Sequence, residues 1–370
     1  LFPYTTLFRS RQQDRRGETR LNITIKDVAK AANVSVATVS RVLNKKSNVS
    51  DEAVQAVNKA VEDLGYSPNF LGRDLRKSET KRILAIIAST EQSFYSEVLR
   101  GMQDAAYMQG YDVLIATTRD DPEHEMHLLG MLFSKAVDGA VLLAPKLDSR
   151  TISELAKKYQ LAMCLERLED CNILCVTIDN ERAGYDATKY LIDKGRRRIG
   201  LLTTEVRSQS SIDREKGYRR ALQEAGIPLD ENLIYYGGYD ADSGTRGCEK
   251  LMNQPRRPDA IFSISDTISI GAMTYALNNG ITVGKDVLFF GFDNIAYSHM
   301  FIPHLTTVEQ PCYLQGKTVI EKLIHNIKSE DKDTGTYKLP HRLIPRESTR
   351  DRKSTRLNSS HSKISYAVFC

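Results

Sequence analysis

The stretch from Thr24 to Asn44 reads TIKDVAKAANVSVATVSRVLN, and its spacing predicts two short helices joined by a tight turn. Thr24 can cap the first helix, and Asp27 stands three positions later, as in a capping box. The turn falls on residues 33–35, where Ser35 can cap the second helix. This pattern predicts a helix-turn-helix unit, the arrangement in which the second helix enters the major groove of DNA.

The second helix of this unit is predicted to have two unlike faces. Three apolar residues recur at helical spacing and are expected to face inward: Val39, Val42 and Leu43. The outward positions carry short or polar side chains: Val36, Ala37, Thr38, Ser40 and Arg41. Short side chains let a helix approach base edges, and an Arg can read a guanine. This face therefore favours DNA reading over a purely structural three-helix bundle.

A third helix is predicted to complete the unit. Ser50 can cap it, Asp51 and Glu52 suit its positive end, and Gly65 can end it. Its inward stripe is Val54, Val57, Val61 and Leu64. Three short helices enclose a small core, so we expect this head to depend on dimerisation or on DNA for stability.

Charge is unevenly distributed along the 370 residues, which are 41% apolar and long enough for more than one domain. Residues 23–82 hold eleven Lys and Arg against seven Asp and Glu, a net charge of +4. Residues 83–350 carry a net charge of −5. A basic head on an acidic body suits a head that meets phosphates and a body that does not.

The two ends of the chain, residues 1–22 and 351–370, do not continue the periodicity of their neighbours. Both resemble translated sequencing-adapter sequence. We therefore expect them to be non-native and disordered. The alternative is a natural basic arm that touches DNA.

From Arg82 onward, short apolar strands alternate with amphipathic helices. The predicted strands are residues 82–89, 112–118, 137–144, 161–166, 174–179, 198–204, 233–238, 260–265 and 287–293. One predicted helical stripe contains Val98, Met102, Ala105 and Met108. Such alternation predicts parallel, doubly wound sheets covered by helices, and nine strands are too many for one compact sheet. The expected fold is an all-α head plus a two-lobed α/β body of the kind seen in periplasmic binding proteins.

Polar and aromatic side chains follow many of the predicted strands, at the edge where ligands bind in such sheets. They are Phe94, Tyr95, Glu166, Arg167, Asp179, Asn180, Arg214, Tyr239, Asp266, Asp293, Asn294 and Gln310. Any one Asp after a strand can instead be a helix cap, and Asp179 can belong to the crossover between lobes. Because several strand ends converge on one level, we predict a ligand cleft there.

The sequence gives no sign of catalysis or of a metal site. The strand-end residues show no nucleophile–base pair, no metal-ligand spacing and no phosphate-binding glycine loop. None of the six Cys forms a CxxC pair, and Cys164 and Cys175 lie in strand-like runs, so buried free thiols are predicted. With no membrane-spanning run and no secretory leader, we expect a cytoplasmic protein without a cofactor.

Residues 24–44, together with Leu64-Gly-Tyr-Ser-Pro-Asn69, resemble the LacI/GalR family of bacterial transcriptional regulators, and the resemblance covers residues 23–350. It implies a regulator, by analogy a repressor, that binds a palindromic operator as a homodimer under the control of a small-molecule effector. It implies a helix-turn-helix domain at 23–68, a hinge at 69–80 and an effector-binding and dimerisation domain at 81–350. One lobe is expected to comprise residues 81–179 and 311–330, and the other residues 180–310.

The resemblance also implies DNA contacts in the head and the hinge. Val36 and Ala37 match the base-reading pair of the family. Ser40 and Arg41 match its general contacts to bases and to the DNA backbone. Leu75 matches a leucine that wedges into the minor groove. The complete implied set is Thr24, Ser35, Val36, Ala37, Thr38, Ser40, Arg41, Asn44, Tyr66, Asn69 and Leu75.

In the body, the resemblance implies a set of effector-binding residues: Phe94, Tyr95, Glu166, Arg214, Tyr239, Asp266, Asp293 and Gln310. Arg214 and Asp266 match the effector-binding arginine and aspartate of the family, and Glu166 falls where an Asp often stands. Arg and carboxylates that read hydroxyl groups, over an aromatic face, favour a sugar or a sugar phosphate. Stacking on Phe94 and Tyr239 also suits a nucleobase, so a regulator of purines or nucleosides is the alternative.

Two further possibilities follow from the resemblance. Residues 237–244 and 339–350 are similar to the catabolite-control branch of the family, which makes a phosphorylated carrier protein a further candidate partner. No contact motif for that partner is carried over. The rival from another class is a solute-binding protein of a transporter, which shares the two-lobed body. The head and the missing leader count against that rival.

Overall fold

The computed structural model describes residues 23–43, 49–66 and 79–350. The chain divides into two compact units, residues 1–78 and residues 79–370. Three of the DNA contacts implied by the family resemblance, at Asn44, Asn69 and Leu75, lie outside the described ranges.

The first unit contains the three expected helices, α1 (Ile25–Ala31), α2 (Val36–Leu43) and α3 (Asp51–Leu64). Thr24 and Asp27 form the predicted capping box at the start of α1, and Gly65 ends α3 in the left-handed conformation. The turn between α1 and α2 places Asn33 at φ 51°, a region that Asn tolerates better than most residues. The head is therefore a helix-turn-helix domain followed by a third helix.

The core of the head is small, as its sequence predicts. It consists of fully or nearly buried side chains from all three helices: Val28, Ala29, Ala32, Val39, Val42, Val57 and Ala60. Val54, Val61 and Leu64 from the predicted stripe of α3 pack against it and are only partly buried. Few apolar side chains stabilise this unit, which fits its expected dependence on a partner.

The second unit contains two six-stranded sheets. The first is formed by β1 (Arg82–Ile87), β2 (Asp112–Thr117), β3 (Gly139–Leu142), β4 (Leu161–Cys164), β5 (Leu174–Ile178) and β11 (Thr336–Leu339). The second is formed by β6 (Ile199–Thr204), β7 (Ile234–Gly237), β8 (Ala260–Ser263), β9 (Leu288–Asp293), β10 (Thr306–Glu309) and β12 (Arg342–Ile344). The strand pairs are parallel except for β10 with β12, which is antiparallel.

Helices cover the two sheets and define two lobes. The first lobe contains α4 (Tyr95–Met108), α5 (Pro122–Phe133), α6 (Ser149–Lys158) and α12 (Cys312–Lys328). The second contains α7 (Asn180–Asp193), α8 (Gln209–Glu224), α9 (Ala241–Met252), α10 (Asp266–Asn278) and α11 (Tyr297–Met300). In β1, Ile83, Ala85 and Ile87 join one buried cluster while Leu84 and Ile86 join another. Strands buried on both faces confirm the predicted doubly wound α/β body.

All nine predicted strands are present, but β10, β11 and β12 were not predicted. The segment 331–350, which the expected boundaries gave to neither lobe, supplies β11 to the first sheet and β12 to the second. The chain thus crosses between lobes after β5, after β10 and after β11. The predicted stripe of α4 was wrong at its last member, because Met108 is exposed while Val98 and Met102 are fully buried.

Candidate effector cleft and DNA-reading helix

A cavity of about 250 Å³ lies between the two lobes, at the carboxyl ends of the strands. Seven of the eight residues expected to bind an effector line it: Phe94, Tyr95, Glu166, Arg214, Tyr239, Asp293 and Gln310. The structure therefore brings together side chains that are up to 216 positions apart in the sequence, from Phe94 to Gln310. Their contact with a ligand stays a prediction.

Arg214, on α8, is held by three different groups. Its Nε donates to Asn180 Oδ1 at 3.0 Å, and its Nη1 donates to the carbonyl of Ile264 at 2.7 Å. The guanidinium also lies 3.6 Å from the centre of the Phe292 ring, a cation–π contact. Because these contacts fix the planar fork, Arg214 presents a preorganised donor surface to the cavity.

Asp293 and Gln310 form the carboxylate and amide pair of the cleft. Gln310 Nε2 donates to Asp293 Oδ1 at 2.7 Å, and Arg214 Nη1 lies 4.0 Å from the same oxygen. Burial raises the pKa of Asp293 to about 6, although Arg214 and the Gln310 hydrogen bond act in the opposite direction. Burial thus makes Asp293 easier to protonate than an exposed aspartate.

Asp266 does not line the cavity, in contrast to the expectation. Its side chain is fully buried, with Thr307 Oγ1 donating to it at 2.6 Å and the backbone N–H of Ile295 donating at 2.9 Å. Burial, followed by the nearby charge of Asp293, raises the pKa of Asp266. The carboxylate thus ties β10 to the segment after β9 and lies behind the wall of the cleft.

Two tyrosines contribute to the cavity wall, of which Tyr95 is nearly buried and Tyr239 is partly buried. Burial raises the pKa of Tyr239 to about 12, and the negative charge of Glu166 adds to that effect. The same two causes raise the pKa of Tyr95. The Phe94 ring lies 4.8 Å from that of Tyr95, centre to centre. Neutral phenols beside an aromatic wall can stack on a ring and exchange hydrogen bonds with hydroxyl groups.

The backbone is strained where two of the strands enter the cleft. Leu165, directly after β4, has φ 75°, and Asp293, the last residue of β9, has φ 113°. Both values fall in the region that favours glycine, and such conformations persist only where the surrounding structure holds them. One of the two strained residues, Asp293, is itself an effector candidate. The other, Leu165, directly precedes the effector candidate Glu166.

Sequence reasoning missed several polar residues of the cavity wall. Lys146 pairs with Asp120 at 2.7 Å, Arg207 pairs with Glu215 at 3.0 Å, and Ser208 and Ser210 begin α8. The run Ser208-Gln-Ser-Ser is a helix-capping signal, and it could have been read as a strand-to-helix turn facing the cleft. Asn180, named as a strand-end residue, instead supports Arg214 from behind.

A second cavity, of about 460 Å³, lies in the first lobe near the start of β4 and β5. It is larger, but key polar groups in it are already satisfied. Asp333 accepts hydrogen bonds from Tyr337 and Lys322, and Asn326 pairs with the backbone of Asp333. The inter-lobe cavity, with its convergent polar and aromatic side chains, is therefore the better effector site.

The outward face of α2 has the predicted composition. Val36, Ala37 and Arg41 are exposed, whereas Thr38 and Ser40 are partly buried. Ser35 caps the helix by accepting from the backbone N–H of Thr38 at 3.1 Å. The face thus presents short side chains and one guanidinium, which suits contact with base edges and phosphates.

Two of the implied DNA contacts have structural roles within the head. Thr24 belongs to the capping box of α1, with its N–H and hydroxyl both directed to Asp27. Tyr66 follows α3 and packs, partly buried, against the small core. Contact of either residue with DNA stays a prediction.

Other kinds of site find no support within the described residues. No group of three or more His, Cys, Asp or Glu side chains there has the arrangement of a metal site. Cys164 and Cys175 are buried free thiols, as predicted. No helix in the same ranges combines the length and apolar character that crossing a bilayer requires.

Comparison with known protein families places both units. Residues 24–69 match the family model of bacterial regulatory proteins of the lacI family. Residues 80–347 match the model of periplasmic binding proteins and the sugar binding domain of the LacI family. The chain belongs to the LacI family. It is a DNA-binding transcriptional regulator with an effector-binding domain.

Individual relatives agree with this assignment. Catabolite control protein A of Priestia megaterium is 36% identical, over 89% of the regulator and 100% of the relative. The HTH-type transcriptional repressor PurR of Vibrio atlanticus (strain LGP32) is 33% identical, over 88% and 98%. These relatives are transcriptional regulators and not enzymes, and members of the family bind operator DNA and effectors and act as dimers.

Solved structures show the same architecture. The lac repressor dimer bound to operator and the anti-inducer ONPF has a TM-score of 0.80 against the regulator, at 25% identity. That likeness covers 89% of the regulator and 99% of the lac repressor chain. The transcriptional regulator CelR in complex with cellobiose has a TM-score of 0.67 at 29% identity, covering 88% and 99%.

Proposed function

We propose that the regulator binds a palindromic operator as a homodimer and that a carbohydrate in the inter-lobe cavity controls its affinity for DNA. The side chains on one wall of the cavity support a carbohydrate as the effector class. There Arg214, Asp293 and Gln310 offer fixed donors and acceptors, and Tyr95 and Tyr239 offer aromatic surface. A guanidinium, an amide and a carboxylate placed together can bind the vicinal hydroxyls of a sugar.

The size of the cavity supports a small ligand. Its volume of about 250 Å³ lies just below the usual range of ligand pockets, about 300–1,000 Å³. The relative CelR was solved with cellobiose, which supports a sugar or sugar phosphate as the effector class here. The PurR relatives support the alternative, a purine or nucleoside stacked on the aromatic residues.

The effector class can be tested by calorimetry on the full chain. Neutral sugars, sugar phosphates and purine bases would be titrated at one pH and one salt concentration. Saturable binding of a sugar or sugar phosphate, with no heat from the bases, is the expected result. Binding of a purine alone would replace the proposal by its alternative, and a silent titration with all three classes would remove both.

DNA reading by α2 predicts a specific loss on substitution of Arg41. If its guanidinium reads a base edge, Arg41→Ala should weaken operator binding by roughly 1–3 kcal/mol while affinity for scrambled DNA stays nearly constant. Titration of labelled operator and scrambled duplexes at fixed salt measures both. Lys59→Ala, on α3, removes another exposed positive charge of the head and serves as the matched control. Equal losses on the two duplexes would make Arg41 a phosphate contact.

A phosphorylated carrier protein remains a proposed additional partner. It is supported by the overall identity with catabolite control protein A and by no individual contact residue. A phosphorylated and an unphosphorylated carrier, each titrated against the operator complex, would test it. Equal effects of the two forms would remove this partner.

A further inference from the structure

A carboxylate from the first lobe reaches across the cleft to a helix of the second lobe. Glu166 lies just after β4, and Ser210 lies in the first turn of α8. The backbone N–H of Ser210 donates to Glu166 Oε2 at 3.0 Å, and the Ser210 hydroxyl donates to Oε1. Both residues line the effector cavity, so this two-point contact bridges the lobes at the ligand site itself.

The contact is favourable for general reasons. The first N–H groups of an α-helix have no partner within the helix, and the positive end of the helix attracts a carboxylate. Ser208 caps α8 and accepts from the N–H of Ser211, which leaves the N–H of Ser210 to Glu166. Ser210 is only 7% exposed, so loss of Glu166 would leave a nearly buried donor without its protein partner.

The bridge continues along the cavity wall by hydrogen bonds. The Ser210 hydroxyl lies 3.1 Å from that of Ser208, which lies 3.3 Å from the Tyr239 hydroxyl. Glu166 at one end and Tyr239 at the other are both predicted effector contacts. A ligand that binds Glu166 therefore competes with the contact that bridges the lobes, and one that binds Tyr239 competes with the neighbouring bond within the second lobe.

We propose that Glu166 is a latch that keeps the ligand-free cleft closed by binding the first turn of α8, and that an effector enters only after this contact opens. The latch operates without any ligand. Only its effect on effector entry rests on the proposed function. Leu165, which directly precedes Glu166, has φ 75°, and its backbone N–H donates to the carbonyl of Val176 at 2.8 Å.

Hydrogen–deuterium exchange on the full, ligand-free chain tests the latch directly. In the wild-type protein the Ser210 amide should be protected, although its place in the first helical turn offers no partner within α8. Glu166→Ala should speed its exchange at least about tenfold. Glu169→Ala removes an exposed carboxylate from the same loop, where Gln209 Nε2 donates to Glu169 Oε1 at 3.4 Å. This control variant should leave the exchange rate of the Ser210 amide unchanged.

Two further variants keep the test decisive if Glu166→Ala unfolds. Ser210→Ala retains the amide and removes the hydroxyl, so its amide should keep part of its protection. Glu166→Asp shortens the side chain by one methylene, so the Ser210 amide should lose most of its protection from exchange. An unprotected Ser210 amide in the wild-type chain, or protection unchanged in Glu166→Ala and Glu166→Asp, would overturn the latch.

Effector entry provides a separate readout. If a carbohydrate binds, its association rate should rise several-fold in Glu166→Ala, because entry no longer requires the Glu166–Ser210 contact to open first. An unchanged association rate would contradict the gating role. If no carbohydrate binds, the exchange result still decides whether the latch exists, so failure of the proposed function and failure of the latch are distinguishable.

Discussion

In the first lobe of the body the strands lie in the order β11-β5-β4-β3-β1-β2, and in the second in the matching order β12-β10-β9-β8-β6-β7. The chemistry that the two lobes bring to the cleft differs. The second lobe supplies Arg214 and Asp293 within a hydrogen-bonded network, whereas the first supplies the aromatic surface of Phe94 and Tyr95 and the carboxylates of Asp120 and Glu166. Equivalent folds thus carry unlike halves of one site, because function resides in side chains at strand ends.

The comparison assigns different tasks to the lobes. The polar groups of the second lobe are held in place by the protein itself, since Asn180, the carbonyl of Ile264 and the Phe292 ring fix Arg214. The first lobe reaches the start of α8 through the two-point contact of Glu166 and through one longer bond at Glu169. Substitutions in the second lobe should therefore alter recognition, and those at Glu166 should alter closure.

The largest effect should come from the packing that positions Arg214. Helices α7 and α8 approach so closely that a Cβ at Gly217 would lie 2.1 Å from the carbonyl oxygen of Glu181 and 2.5 Å from the N of Tyr185. Because both neighbours are backbone atoms, Gly217→Ala should cost about 3 kcal/mol or more of unfolding free energy. Chemical denaturation measures this change.

A glycine in the first lobe gives the matched control. Gly130 lies in α5, and a Cβ added there would meet no atom within 4 Å. Gly130→Ala should therefore stabilise the regulator by about 0.5–1 kcal/mol. Destabilisation of similar size in both variants would show that helix crossing in the second lobe is not the cause.

An intermediate effect is expected at Arg214 itself. Lys keeps the charge but cannot reproduce the planar fork that binds Asn180 and the carbonyl of Ile264, so Arg214→Lys should weaken effector binding roughly 10–100-fold. Arg219→Lys, on the same helix and paired with the exposed Glu231, should leave effector affinity unchanged. Calorimetry on the two variants decides whether Arg214 recognises the ligand.

The smallest effect is a pH dependence from Asp293. A neutral sugar that donates a hydroxyl to the ionised carboxylate should bind about fourfold more weakly at pH 5.5 than at pH 7.5, because the pKa of Asp293 is about 6. The stability of the ligand-free chain should change in the opposite direction. A raised pKa means that the folded state holds more protons between about pH 4 and 6, so stability from this residue is lost as pH rises through that window.

Asp293→Asn tests both pH dependences, that of effector affinity and that of stability, since it removes the titrating group and keeps the side-chain shape. Effector affinity and unfolding free energy should each lose this part of their pH dependence. Persistence of both profiles in the variant would assign them to other groups, such as Asp266, whose pKa is also raised.

Much of this architecture could be predicted because its signals are local. The capping box at Thr24, the stripe of α3 and the nine apolar strands depend on residues close together in sequence. The predicted convergence of strand ends also placed seven of the eight effector candidates on one cavity, because parallel strands share an edge.

What the sequence did not reveal depends on contacts between distant residues. Strands β10 and β11 contain Thr and Lys in place of an apolar run, and the buried hydroxyl of Thr307 donates to Asp266, 41 positions away. Asp266 is fully buried at this pairing and does not line the cavity. Glu166 was recognised as a strand-end carboxylate, but its contact with Ser210 required the two lobes to be placed together.

The measurement that tests the account most directly is operator affinity with and without the effector. An operator selected from random duplexes would be titrated with the full chain at fixed salt, in the absence of ligand and with the carbohydrate at a concentration that calorimetry shows to be saturating. The account predicts that the Kd for operator changes by at least about fivefold, in either direction. An unchanged Kd at saturation would show that the ligand binds both states equally, and it would contradict control of DNA binding by the cleft.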